Sequence, residues 1–184
     1  MATVRYGHSA TALLDGMVLV SGGLSGSSFL RSAELFDPDS GTWSATGDLH
    51  TPRDRHSTTL LDNGAVLAAG GFSSSGLNPW AELYDPATGM WTATGTMASG
   101  GIRPAVRLLD GRVLVAGDGM FDEQAPAELF DPRTGRWSPA GTMISGRVGP
   151  TVTLLRDGTV LVVGGQADAT MLTSAELYTP EPGS

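Results

Sequence analysis

The chain has no cysteine, which excludes disulfides and thiolate metal sites and leaves its redox compartment open. Lysine is absent too: all eleven cationic side chains are arginine, against nineteen acidic ones, for a net charge of −8. That balance argues against nucleic acid or an anionic membrane surface as a partner. No apolar run approaches the ~20 residues a spanning helix needs. The N-terminus lacks the basic and apolar regions of a signal peptide, as a trimmed or mature chain also would, so the localisation is unknown. No window keeps a sustained 3.6-residue apolar period, so mostly β structure and almost no helix are expected.

Glycine (26) and proline (11) are plentiful, and they fall at recurring turns rather than in a low-complexity tract. Around 147–165, two apolar runs, 152–155 and 160–163, flank Asp157-Gly158 and end at Gly164-Gly165. Asp-Gly suits a tight hairpin turn because glycine accepts positive φ without steric cost. The same hairpin recurs around Asp15-Gly16, Asn63-Gly64 and Asp110-Gly111. Each copy is followed by a variable stretch and then Ala-Glu-Leu, with glutamates at Glu34, Glu82, Glu128 and Glu176, spaced by 48, 46 and 48 residues. Three copies continue as Asp-Pro-x-x-Gly-x-Trp, ending at Trp43, Trp91 and Trp137. Four strand signals per period of this length point to propeller blades rather than a helical solenoid.

Double glycine after an apolar strand, then an aromatic, then Trp, then Met and Arg before the next hairpin resembles the kelch repeat. The wording at 81–91, Ala-Glu-Leu-Tyr-Asp-Pro-Ala-Thr-Gly-Met-Trp, looks most like bacterial kelch repeats and the kelch region of galactose-oxidase-like proteins. The resemblance covers nearly the whole chain. It implies an all-β, kelch-type β-propeller of four blade repeats in a single domain, 1–184. The repeats run about 5–52, 53–102, 103–146 and 147–179. After Tyr178 the chain reads Thr-Pro-Glu-Pro with no Trp, so the fourth blade is expected to lack its outer strand and to leave a strand edge open, covered or paired with another chain.

Strands A to D of each blade are read from the axis outward. Their alternation puts the tight A–B and C–D turns on one face and the long B–C and D–A connections on the other, where function is expected. A feature in every repeat is read as serving the fold: the Ala-Glu-Leu glutamates, bonding backbone or arginine; the turn aspartates; and the three tryptophans, packing between blades. Gly22-Gly23-Leu24-Ser25-Gly26 has no helix start after it and is not read as a phosphate loop.

The candidate binding face combines two groups. The D–A segments bring Arg5, His8, Arg53, Arg55, His56, Arg103 and Arg147 near the axis, with Val106 and Pro150 where the third and fourth histidines would fall. These cations either bond loop carbonyls or hold an anionic ligand. The B–C loops contribute Phe29 and Arg31, Trp80, and Phe121, Asp122 and Glu123. Loose aromatics on polar loops are common in binding surfaces. The histidines lack carboxylates at metal-ligand spacing, and Asp118 with Asp122 and Glu123 supports a cation on spacing alone, so no metal or cofactor is assigned. The resemblance raises copper chemistry with a tyrosine–cysteine crosslink. With no cysteine, and with Tyr84 and Tyr178 at repeat positions, that set does not carry over. The expectation is a non-enzymatic scaffold binding a protein or carbohydrate through its variable B–C and D–A loops, with a homo-oligomer that completes or extends the propeller as a further partner. The alternatives are an enzyme or small-ligand site at the axis, and a bare structural fragment or engineered set of repeats.

Overall fold

A computed structural model describes residues 1–117, 126–167 and 170–181. Phe121, Asp122 and Glu123 lie outside them. Two compact units divide the chain, 1–101 and 102–184. The division falls at the boundary between the second and third repeats.

In the first unit the strands run β1 (Ser9–Ala12), β2 (Val18–Ser21), the short pair β3 (Leu24–Ser25) and β4 (Ser28–Phe29), β5 (Ala33–Asp37) and β6 (Thr42–Ala45). The second repeat follows the same order: β7 (Ser57–Leu60), β8 (Val66–Ala69), β9 (Phe72–Ser73), β10 (Gly76–Leu77), β11 (Trp80–Asp85) and β12 (Met90–Thr96). The second unit contains β13 (Ala105–Arg107), β14 (Val113–Val115), β15 (Pro126–Asp131) and β16 (Arg136–Thr142). Its last repeat has β17 (Thr151–Leu154), β18 (Val160–Val163), β19 (Gln166–Ala167), β20 (Thr170–Met171) and β21 (Ala175–Tyr178). No helix occurs among the described residues. Three antiparallel four-stranded sheets result, β1-β2-β5-β6, β7-β8-β11-β12 and β13-β14-β15-β16, with a three-stranded one, β17-β18-β21. The short pairs β3/β4, β9/β10 and β19/β20 lie within the variable connections.

The turns form as their chemistry dictates. Asp15, Asn63, Asp110 and Asp157 each accept the backbone N–H two residues on, and the glycine after each has φ between 85° and 88°. The double glycines are needed for close approach. At Gly23, with φ +93°, a Cβ would sit 2.7 Å from the Tyr6 carbonyl oxygen.

Each unit has one core, built between its two blades. In the first, Leu19 and Ala33 of one blade meet Val66, Ala68, Tyr84 and Trp91 of the next. In the second, Leu114, Ala116, Ala127 and Leu129 meet Val160 and Val162, with Tyr178 half-buried beside them. The central strands are apolar on both faces, and in each blade one of those faces packs in this core. Trp91 donates its indole N–H to the Gly47 carbonyl at 3.0 Å and packs on Tyr84. Trp43 departs from the expectation of packing between blades: it stacks on Phe36 of its own blade, and within the first unit no blade lies on its other side.

Candidate binding face

The expected axial arginines turn inward. Arg5, Arg53, Arg103 and Arg147 are all buried, which takes them out of a ligand's reach and corrects their assignment to the binding face. Each guanidinium does the same work. Arg5 donates to the Gly22 and Ser32 carbonyls at 2.7 and 2.9 Å and to Glu34 at 2.8 Å. Arg53 reaches Gly70, Trp80 and Glu82, the last at 2.6 Å. Arg103 bonds Gly117, Pro126 and Glu128. Arg147 bonds Gly164, Ser174 and Glu176. In every repeat the two carbonyls flank the B–C connection, one just past strand B and the other at or next to the start of strand C. The arginine therefore pinches that connection at its base, and the Ala-Glu-Leu glutamate neutralises it.

The glutamates gain further donors from the chain ahead of the arginine. Burial alone would raise the Glu82 carboxyl, but the His50 N–H, the Arg53 charge and the Thr51 N–H outweigh it and hold it below the usual carboxylate range. Glu34 and Glu176 are lowered in the same way, by Ala2, Arg5 and Thr3 and by Ile144, Arg147 and Ser145. These groups are structural, as their recurrence suggested.

Beyond the clamp, the lead-in segments of the first unit differ from one another. Arg55 has φ 50°, a left-handed conformation that costs a side chain about 1–2 kcal/mol. Its counterparts two residues after the clamp arginine, Gly7 and Gly149, also have positive φ. The Arg55 N–H donates to the Gly7 carbonyl at 2.7 Å and its side chain stands half in solvent. Beside it Asp54 is buried, with Oδ2 3.7 Å from the Arg55 Nε and Oδ1 without a hydrogen-bond partner among the described residues. Burial pushes the Asp54 carboxyl up, only partly offset by Arg55. His56 is buried, its Nε2 3.0 Å from the Ser21 hydroxyl and its Nδ1 without a hydrogen-bond partner among the described residues. Burial, with the Arg53 and His8 charges adding to it, lowers His56 to about 3, so the ring is neutral.

His8 and Tyr6 are exposed beside this segment. The third repeat is three residues shorter before its first strand, so Val106 aligns with Thr11 and not with His8, as the pairings of β13 with β14 and of β1 with β2 show. Among the described residues, no three His, Asp or Glu side chains converge as metal ligands would.

The B–C connections present the remaining residues. Phe29 is half-buried in β4, and Arg31 is exposed, paired with Asp48 at 3.2 Å. Trp80 opens β11 instead of lying in the loop. Its carbonyl is held by Arg53 while its indole is exposed. Asp54 was missed by sequence reasoning, although it stands where the other repeats have Tyr6, Pro104 and Val148 and is the only acidic residue of that set.

Antiparallel sheets of four strands, three in the last, with a clamp in every repeat and a double glycine in three of the four, are the blades of a β-propeller. The Kelch motif family model matches residues 5–49, the first of the repeats. A solved structure described as "Structure of YjhT" superposes with a TM-score of 0.74 at 16% identity, over 98% of this chain and 67% of that one. At that identity the likeness shows the fold alone. No curated protein sequence matches. The fold is that of a β-propeller whose first repeat matches the Kelch motif; such a fold supports a general interaction role and hosts many others.

Proposed function

We propose that this propeller is a non-enzymatic scaffold that binds a protein or glycan through its variable B–C and D–A connections. One observation carries the reading. Residues common to the repeats are consumed by the clamp and the core, while exceptional residues of the first unit, Arg55, Trp80 and Arg31, project from pinned segments. Fixing the base of a connection leaves its sequence free to vary and lowers the entropy lost on binding. Aromatic and arginine side chains so presented suit either a protein hot spot or the faces and hydroxyls of a sugar.

The buried Asp54 gives the axial small-ligand reading its specific support. A carboxylate oxygen lacking a donor is an acceptor for a ligand hydroxyl or amine, and Arg55 supplies a charge beside it. Binding should be screened on a glycan array and a displayed-peptide library, and the hits measured by calorimetry. Phe29→Ala, Arg55→Ala and Trp80→Ala should weaken a hit about tenfold or more, while Asp15→Ala and Asp110→Ala leave it unchanged. The reverse ranking would move the binding face to the tight-turn side.

A further inference from the structure

The interface within each unit follows one rule. The leading blade offers the row Leu19 and Ala33, or Leu114, Ala116, Ala127 and Leu129. The trailing blade answers with Val66, Ala68 and Tyr84, or Val160, Val162 and Tyr178. The first kind of face is therefore Leu and Ala from strands B and C, and the second is Val with an aromatic and, where strand D exists, a tryptophan. Hydroxyls finish the contact at the inner strands: Thr58 of the trailing blade lies 2.6 Å from both Ser9 and Thr11 of the leading one.

Among the described residues, the fourth blade and the first each have an open face. The fourth blade presents Leu161, Val163, Ala175 and Leu177, the leading kind, brought together by the pairs Leu161↔Leu177 and Val163↔Ala175. Val163 is 42% and Leu177 64% exposed, whereas Ala69 and Leu129, at the same repeat positions, are 1% and 6% exposed. Thr151 and Thr153 complete the face with exposed hydroxyls. The first blade presents Val18, Phe36 and Trp43, the trailing kind, aligned by the pairs Val18↔Phe36 and Phe36↔Trp43. Trp43 is 38% exposed against 3% for Trp91. Apolar rows of this kind mark interaction surfaces.

We propose that the occupant of each face is a second copy of this chain, joined head to tail. The fourth blade of one copy seats against the first blade of the next and repeats the contact already made within each unit. The two faces are complementary halves of one interface, and neither matches itself, so the contact is heterologous and not two-fold. It involves no residue of the variable connections, so it stands or falls separately from the binding role.

Mass by light scattering and sedimentation, across a wide concentration range, tests the proposal. The wild type should exceed the mass of one chain. Leu177→Lys blocks one face and Trp43→Lys the other; each variant should keep the β dichroism and cooperative melt of a folded chain, at a lower temperature than the wild type because the stabilisation from association is lost. Each variant alone should be monomeric, because it lacks one half of the interface. Mixed in equal amounts, they should form a one-to-one complex through the face each retains. A wild type that stays monomeric at every concentration overturns the proposal. So does a wild-type oligomer that survives either lysine substitution, or a mixture in which no complex forms.

Discussion

Arg53 lies inside the second blade with its guanidinium 2.6 Å from the Glu82 carboxylate, and both are almost fully buried. The pair closes the base of the connection that carries Trp80. Removing one partner leaves a buried charge uncompensated, which typically costs about 3–5 kcal/mol. Arg53→Gln and Glu82→Gln should each destabilise the protein on that scale in urea unfolding. Arg31→Ala breaks an exposed pair with Asp48 and should cost only about 0–1 kcal/mol. Comparable losses for the buried and the exposed pair would remove the clamp from the account.

The tryptophans separate by environment. Trp91 is buried, stacked on Tyr84 and bonded to Gly47, so Trp91→Ala should cost about 3–5 kcal/mol. Trp80→Ala removes an exposed indole and should change the melting temperature little. Equal losses would mean that the exposed ring supports the fold after all.

Stability should fall with acid in two stages. His56 is held near 3 when folded but titrates near 6.5 when unfolded, so unfolding takes up a proton between those values. Its contribution is complete above about pH 6.5 and declines as the pH falls through that window. Glu34, Glu82 and Glu176 act lower down. Their folded values lie below 4.5, so their contribution is present above that pH and is lost as the pH drops through the lowered values. Asp54, raised on folding, works in the opposite sense. His56→Gln should therefore shrink the loss in urea midpoint between about pH 7 and pH 5 relative to the wild type. An unchanged loss would show that His56 does not control this range.

Much of the fold was legible because its devices repeat. The Asp-Gly turns, the Ala-Glu-Leu strands and the double glycines fix strand order and register without tertiary information. Even the clamp left a trace: Arg5, Arg53 and Arg147 each precede their glutamate by 29 residues. What the sequence could not reveal was direction. An arginine at the mouth of a strand can point to solvent or into the blade, and carbonyl geometry decides. The same applies to Trp43, whose repeat position promised burial that only a neighbouring blade could provide. Asp54 was obscured because a single acidic residue has no pattern until the alignment of the lead-in segments is known.

Arg55 tests the central division between residues that build the fold and residues that are presented by it. It holds a left-handed conformation that glycine occupies in the first and fourth repeats. Replacing it with glycine relieves about 1–2 kcal/mol of backbone strain and costs about 0.5–1 kcal/mol in chain entropy. The decisive measurement is the unfolding free energy of Arg55→Gly beside that of Arg53→Gln. The account predicts that Arg55→Gly is as stable as the wild type or slightly more so, while Arg53→Gln loses several kcal/mol. A loss at Arg55→Gly as large as that at Arg53→Gln would contradict it, because Arg55 would then be part of the scaffold.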